Sequence, residues 1–162
     1  LAEQVTRLLQ LLQPGGNGAS ITAVAGMAGL GKTALSVHVA HRLKEQFPDG
    51  QLFLDLAGTG DAPVTAAQGL ARLITAFNPA AHLPAEVPAL QSIYRSELGG
   101  KRVLIIRDNA REGDQVQPLL PSAAMGSSGY CVRSHSRQRD FSAPRRLAVF
   151  KAPSRRPSAQ RI

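Results

Sequence analysis

The chain has 162 residues, a hydrophobic content of 43% and a formal net charge of +8. This length favours a single domain with an adequate core, and the absence of a long apolar run argues against a membrane partner. One cysteine, Cys131, rules out an internal disulfide and is typical of a reducing compartment, so we expect a cytoplasmic protein.

The first part of the chain predicts a helix, a loop and a strand. Residues 1–12 carry apolar side chains on one helical face, so we expect a lead-in helix within residues 1–13. A glycine-rich loop then leads to Ser20–Ala25, a short apolar and β-branched run that predicts a buried strand. The first residue is Leu1 rather than Met, which suggests a fragment of a longer protein.

The stretch after this strand carries the most informative pattern in the sequence. It fits G-x-x-x-x-G-K-[ST], the phosphate-binding loop, and a helical pattern follows it directly. The positions expected to contact nucleotide are Gly26, Met27, Ala28, Gly29, Leu30, Gly31, Lys32, Thr33 and Ala34. Glycines let backbone N–H groups face phosphate oxygens, Lys32 can reach the β- and γ-phosphates, and the Thr33 hydroxyl can bind Mg²⁺. The pattern predicts ADP or ATP binding, and its alternative is a glycine turn before an ordinary helix.

The rest of the chain alternates helical and strand patterns. The predicted elements are a helix over 33–47, a strand over 51–56, helices over 65–77 and 86–98, a strand over 103–106, and a short helix over 114–120. Apolar strands separated by amphipathic helices predict an α/β fold. We expect a parallel sheet of about five strands, with right-handed crossovers and helices on both faces.

Asp108 follows the third predicted strand and is the second nucleotide signal. A carboxylate at the carboxyl end of a buried strand, beside a phosphate loop, can hold Mg²⁺ directly or through water. The alternative is that Asp108 caps the next helix. Arg107 is a costly charge in a covered strand unless it snorkels or pairs. Because Asn109 is an amide and cannot take a proton from an attacking water, we expect at most weak ATPase activity.

These segments together resemble the NB-ARC domain of STAND-class P-loop ATPases, in particular that of bacterial SARP-type (AfsR-like) transcriptional regulators. The similar segments are 26–35, 38–43, 47–56, 94–98, 108–111 and 115–121. The resemblance extends over residues 1–121. It implies that residues 14–150 form a nucleotide-binding domain with a P-loop NTPase fold. Such a domain acts as an ADP- or ATP-dependent switch, with the effector and sensor domains outside this chain.

Beyond residue 121 the similarity decays. Residues 129–137 stand where the family has a fourth strand, and the resemblance makes Arg137 a candidate sensor arginine for the γ-phosphate. Residues 146–150 form a candidate fifth strand, whereas residues 151–162 match nothing in the family. We therefore expect an incomplete C-terminus, with a degenerate or disrupted reading frame as one hypothesis.

The excess of positive charge is confined to the last quarter of the chain. Residues 121–162 contain nine Lys/Arg and one Asp, while residues 1–120 contain ten of each sign. A basic arm for nucleic acid is one interpretation. Because the interleaved aromatics of stacking platforms are missing, a basic, disordered tail over 151–162 is favoured. A nucleic-acid-binding protein acting through this tail and a free-standing P-loop kinase or ATPase stay open as alternatives to the switch module.

Overall fold

The computed structural model describes residues 2–12, 20–25, 31–111, 113–120, 129–135 and 148–150. Within these residues the helices are α1 (Ala2–Leu11), α2 (Lys32–Arg42), α3 (Ala66–Phe77), α4 (Val87–Leu98) and α5 (Gly113–Val116), with 3₁₀ turns at Lys44–Gln46 and Gln117–Leu119. The strands are β1 (Ser20–Ala25), β2 (Gly50–Asp55), β3 (Val103–Asp108), β4 (Gly129–His135) and β5 (Ala148–Phe150). The fold is mixed α/β, as the sequence predicts.

The described strands join in one sheet with the order β1-β4-β3-β2-β5. The pairs β1/β4, β4/β3 and β3/β2 are parallel, whereas β5 runs antiparallel to β2. The expectation of an all-parallel sheet is therefore wrong at β5. A three-residue strand on the edge of an otherwise parallel sheet needs no helical crossover, and α/β sheets commonly carry such an antiparallel edge.

Helices cover both faces of the sheet because successive side chains of β3 alternate between two cores. Leu104 and Ile106 pack with apolar side chains of α1 and α2, whose members include Leu8 and Val39. Ile105 belongs to the other core, which contains the buried side chains of α3 and α4. This double burial explains why β3 is a continuous apolar run. The predicted lead-in helix is α1, and it packs against α2 and β3 in the same hydrophobic core.

Two predicted helices end earlier or divide. The helix expected over 33–47 begins at Lys32 and ends at Arg42, and a 3₁₀ turn follows it. The helix expected over 114–120 divides into α5 and the 3₁₀ turn Gln117–Leu119. Pro118 lies in that second turn and has no backbone N–H to donate, which limits continuation of an α-helix. No helix in the described part of the chain combines the length and apolar character needed to cross a bilayer.

The topology collects three strand ends at one edge. Because β1, β2 and β3 all run in the same direction, their carboxyl ends lie at the same side of the sheet. The connection from β1 to β2 runs through α2 on one face, and the connection from β2 to β3 runs through α3 and α4 on the other. In open α/β sheets, ligands bind at the carboxyl edge where the connections diverge in this way.

Candidate phosphate and metal site

Thr33 and Asp108 meet at the carboxyl edge of the sheet. The Thr33 hydroxyl donates a hydrogen bond to Oδ2 of Asp108 across 2.5 Å, although 75 residues separate the two in sequence. Thr33 lies in the first turn of α2, and Asp108 is the last residue of β3. Both predicted magnesium ligands are therefore in direct contact.

The start of α2 has the geometry of an anion site. Gly31 stands before the helix in the left-handed region, with φ 70°, which a glycine adopts without a steric cost. No side chain caps α2, so a bound anion is a suitable partner for the N–H groups of its first turn. Lys32 is buried, with 8% of its surface exposed, and Ala34 is exposed.

Several predicted site residues lie outside the described residues. They are Gly26, Met27, Ala28, Gly29 and Leu30 of the phosphate loop and the candidate sensor Arg137. The tail over 151–162 is also outside them. Their roles stay predictions, and the structure describes this loop only from Gly31 to Thr33.

Within the described residues, the Asp108 carboxylate accepts hydrogen bonds from groups other than the helix that follows it. Its Oδ1 accepts a hydrogen bond from the backbone N–H of Asn109 at 2.8 Å, and its Oδ2 accepts the bond from Thr33. The next helix, α5, begins only at Gly113. The carboxylate is thus directed toward the start of α2, as a metal ligand shared with the phosphate loop would be.

The donor chemistry of this site fits Mg²⁺. A hydroxyl and a carboxylate are hard oxygen ligands, and Mg²⁺ is usually bound by one or two carboxylates together with phosphates and several waters. Within the described residues there is no cluster of three or more His, Cys, Asp or Glu that could hold a metal ion. The buried Oδ1 of Asn109 accepts no hydrogen bond within the same residues and could accept one from a metal-bound water.

Asp55 is a second carboxylate at this edge, and sequence reasoning missed it. It ends β2 and is the register partner of Asp108 across the parallel pair β2/β3. Its Oδ1 accepts the backbone N–H of Ala57 at 2.8 Å and lies 3.4 Å from Nδ2 of Asn109, which donates to it. The signal was present, since the strand before Asp55 is an apolar run ending in a carboxylate, the same pattern that identified Asp108.

The loop after β2 is fixed against the residues after β3. Leu56 donates its N–H to the carbonyl of Asp108 at 3.0 Å, and Gly58 donates to the carbonyl of Asn109 at 2.7 Å. The side chain of Gln115 donates to the carbonyls of Leu56 and Val64, at 2.8 and 2.7 Å. The segments that follow β2 and β3 are therefore held to each other beside Asp108.

Comparison with known proteins relates the chain to regulatory proteins. No family model matches it. Over 103 residues, 63% of the chain, it is 46% identical to Regulatory protein AfsR of Streptomyces coelicolor (strain ATCC BAA-471 / A3(2) / M145) and 43% identical to Regulatory protein AfsR of Streptomyces griseus. The chain is AfsR-like over this segment. It spans only about a tenth of the length of these relatives, 10% and 11% respectively.

Arg107 lies in β3, where a buried charge is expected to be costly. Its guanidinium is fully buried, and Nη2 donates to the Tyr94 hydroxyl at 3.2 Å and to the carbonyl oxygen of Leu119. Tyr94 in turn donates to the same carbonyl at 3.3 Å. These hydrogen bonds of Nη2 lower the expected cost, and they join β3, α4 and the 3₁₀ turn after α5. The spacing of Leu90, Tyr94 and Leu98 indicates an apolar helix face but gives no signal for this partnership.

Proposed function

We propose that the chain is the ADP- or ATP-binding switch module of a larger bacterial transcription or signal-transduction regulator, built on a P-loop NTPase fold of the NB-ARC, STAND-class type. The observation that carries the proposal is the 2.5 Å hydrogen bond from Thr33 to Asp108. It brings the end of the phosphate-loop pattern and the strand-end carboxylate together at the carboxyl edge of a parallel sheet. A glycine turn before an ordinary helix gives no reason for that contact.

Each residue of the proposed site contacts a different part of the nucleotide or its metal ion. The loop from Gly26 to Gly31 supplies backbone N–H groups to the phosphates, and Lys32 supplies a positive charge to their terminal oxygens. Thr33 and Asp108 would hold Mg²⁺. The ion, when bound, neutralises phosphate charge. Burial of Lys32 at 8% exposure strengthens its attraction for phosphate, because a charge removed from water is less screened.

A switch follows from the difference between the two nucleotides. Only ATP has a γ-phosphate, and contacts from Lys32, Mg²⁺ and Arg137 to that group would favour one conformation over another. A carboxylate able to take a proton from water is replaced at position 109 by the amide of Asn109. Hydrolysis is then slow or absent, so occupancy by ATP persists long enough to act as a signal.

The comparisons agree with a module inside a larger regulator. The relatives are named regulatory proteins, and this chain corresponds to about a tenth of each. We infer that effector and sensor domains lie elsewhere in a cytoplasmic protein of this kind. The nucleotide-binding part then serves as the element whose state those domains read.

Calorimetry with Mg-ADP and Mg-ATP tests the proposal directly. We expect the wild-type chain to bind both, and Lys32→Ala to abolish binding. Lys44→Ala is the matched control, because Lys44 is exposed in the 3₁₀ turn after α2 and should leave affinity unchanged. Equal affinity in wild type and Lys32→Ala would refute the assignment. Phosphate release followed in the same samples distinguishes a slow switch from a free-standing enzyme that turns over rapidly.

A further inference from the structure

Two carboxylates and one amide form a connected group at the carboxyl edge of the sheet. Asp55 and Asp108 are register partners on adjacent strands, so their backbones are about 4.8 Å apart. Asn109 lies between them in the chain of hydrogen bonds. Its backbone N–H donates to Oδ1 of Asp108 at 2.8 Å, and its side-chain amide donates to Oδ1 of Asp55 at 3.4 Å.

We propose that Asp55 is a positioning residue that acts through Asn109 to hold the Asp108 carboxylate in the orientation that Mg²⁺ binding requires. The inference rests on the proposed nucleotide function and assigns a role to two residues that do not themselves bind the metal. Partners that orient metal ligands in this way are a general feature of metal sites.

Asp55 is itself well fixed, which a positioning residue must be. The Oδ1 that faces Asn109 also accepts the backbone N–H of Ala57 at 2.8 Å, a turn that closes directly after β2. The following residues are held against β3 by the bond from Gly58 to the Asn109 carbonyl. The acceptor for the Asn109 amide therefore does not depend on a mobile side chain.

Asn109 adopts the backbone conformation that this role needs. Its φ is 56°, in the left-handed region, where most residues are strained and where Asn is one of the few tolerated non-glycine types. The side-chain amide at this position donates to Asp55 without adding charge, while the backbone N–H donates to Asp108. An acid would place a third negative group beside Asp55 and Asp108, and like charges in contact oppose one another. The amide at position 109 therefore has a role in positioning Asp108, in addition to its effect on hydrolysis.

The test measures how much Mg²⁺ strengthens ADP binding. The Mg²⁺ enhancement is defined as the affinity for ADP with Mg²⁺ divided by the affinity in EDTA, both by calorimetry. We expect Asp55→Ala to lower this enhancement about tenfold, the size typical of losing a metal ligand's supporting partner, while affinity in EDTA stays near the wild-type value. Asp55→Asn should retain most of the enhancement, because its side-chain oxygen can still accept from Ala57 and Asn109.

A second variant keeps the test decisive if Asp55→Ala folds poorly. Asn109→Gly removes the amide and suits a φ of 56°, since glycine adopts it freely. We expect it to lower the enhancement as Asp55→Ala does. The double variant should lose no more than either single variant, because both changes break the same link. Asp61→Ala is the control, since Asp61 is an exposed carboxylate in the same loop.

The outcomes separate this inference from the proposed function. If the wild-type chain binds no nucleotide, both fail. If it binds with a clear Mg²⁺ enhancement that neither Asp55→Ala nor Asn109→Gly changes, only the positioning role is overturned. Equal losses with and without Mg²⁺ would also overturn it, because they would indicate general damage to the loop. An effect of Asp55→Asn as large as that of Asp55→Ala would replace positioning by a direct role of the charge.

Discussion

The hydroxyl of Thr33 lies 2.5 Å from Oδ2 of Asp108 and joins the first turn of α2 to the last residue of β3. The helix α2 follows β1 in the chain, and β4 separates β1 from β3 in the sheet order. The contact thus spans the edge of the sheet. It makes the helix start and the strand end a single site, in which a change on one side affects the ligand environment of the other.

Replacing Thr33 tests this contact without removing a buried group. We expect Thr33→Val to lower Mg²⁺-dependent ADP affinity about tenfold or more, because a hydroxyl ligand is lost at unchanged shape. Thr33→Ser keeps the hydroxyl and should bind nearly as the wild type. Since Thr33 is exposed, the free energy of unfolding of the nucleotide-free chain should change by no more than about 0.5 kcal/mol.

Calorimetry and urea unfolding of the three proteins provide the measurements. The serine variant is the matched control, as it differs from wild type only by a methyl group. Equal Mg²⁺-dependent affinity in Thr33→Val and wild type would show that the hydroxyl contributes nothing to metal binding.

Much of the fold follows from local pattern. The β-branched run over Ser20–Ala25 is β1 with the predicted bounds, and the apolar run before Asp108 is β3. Thr65 and Gln68 form a capping box that starts α3, so the start of this helix is also encoded locally. These features depend on a few neighbouring residues, which is why sequence reasoning reaches them.

The features that sequence reasoning missed depend on register and on distant contacts. Asp55 faces Asp108 only because β2 and β3 pair with these two residues in register. The acceptors of the Arg107 guanidinium, Tyr94 and Leu119, lie 13 and 12 residues away on other elements. The antiparallel direction of β5 likewise depends on how a three-residue strand meets the sheet edge. No local periodicity carries this information.

The buried pair of Arg107 and Tyr94 predicts a loss of stability on removal of one hydroxyl. Tyr94→Phe leaves the guanidinium with one acceptor fewer in a site without access to bulk water, so we expect a loss of about 1–3 kcal/mol in the free energy of unfolding. Thr75→Val is the control, because it deletes an exposed hydroxyl of α3 that bonds only within its own helix.

A double-mutant cycle attributes this loss to the pair. In an Arg107→Met background, Tyr94→Phe should cost less than in the wild type, with a coupling energy of roughly 0.5–3 kcal/mol. Urea unfolding of the four proteins gives the coupling. Full additivity would mean that the tyrosine hydroxyl stabilises the chain through its other bond, to the Leu119 carbonyl, and not through Arg107.

The close approach of Gly58 to the residues after β3 predicts that a larger side chain at position 58 disturbs the candidate site. A Cβ added there would overlap the backbone nitrogen of Arg111 and lie 2.5 Å from the carbonyl oxygen of Asn109. Backbone atoms cannot rotate away as a side chain can, so the residues after β3 must shift. We expect Gly58→Ala to destabilise the chain by about 1–3 kcal/mol and, by moving the segment next to Asp108, to lower Mg-ADP affinity as well.

Gly99→Ala is the control, because its Cβ would come no closer than 3.3 Å to Ser96 O at the far end of α4. Thermal unfolding and calorimetry measure the two effects. If Gly58→Ala has the melting temperature of the wild type, the close packing of these loops is contradicted. If its stability falls but its Mg-ADP affinity is unchanged, Asp108 keeps its position when the loop beside it moves.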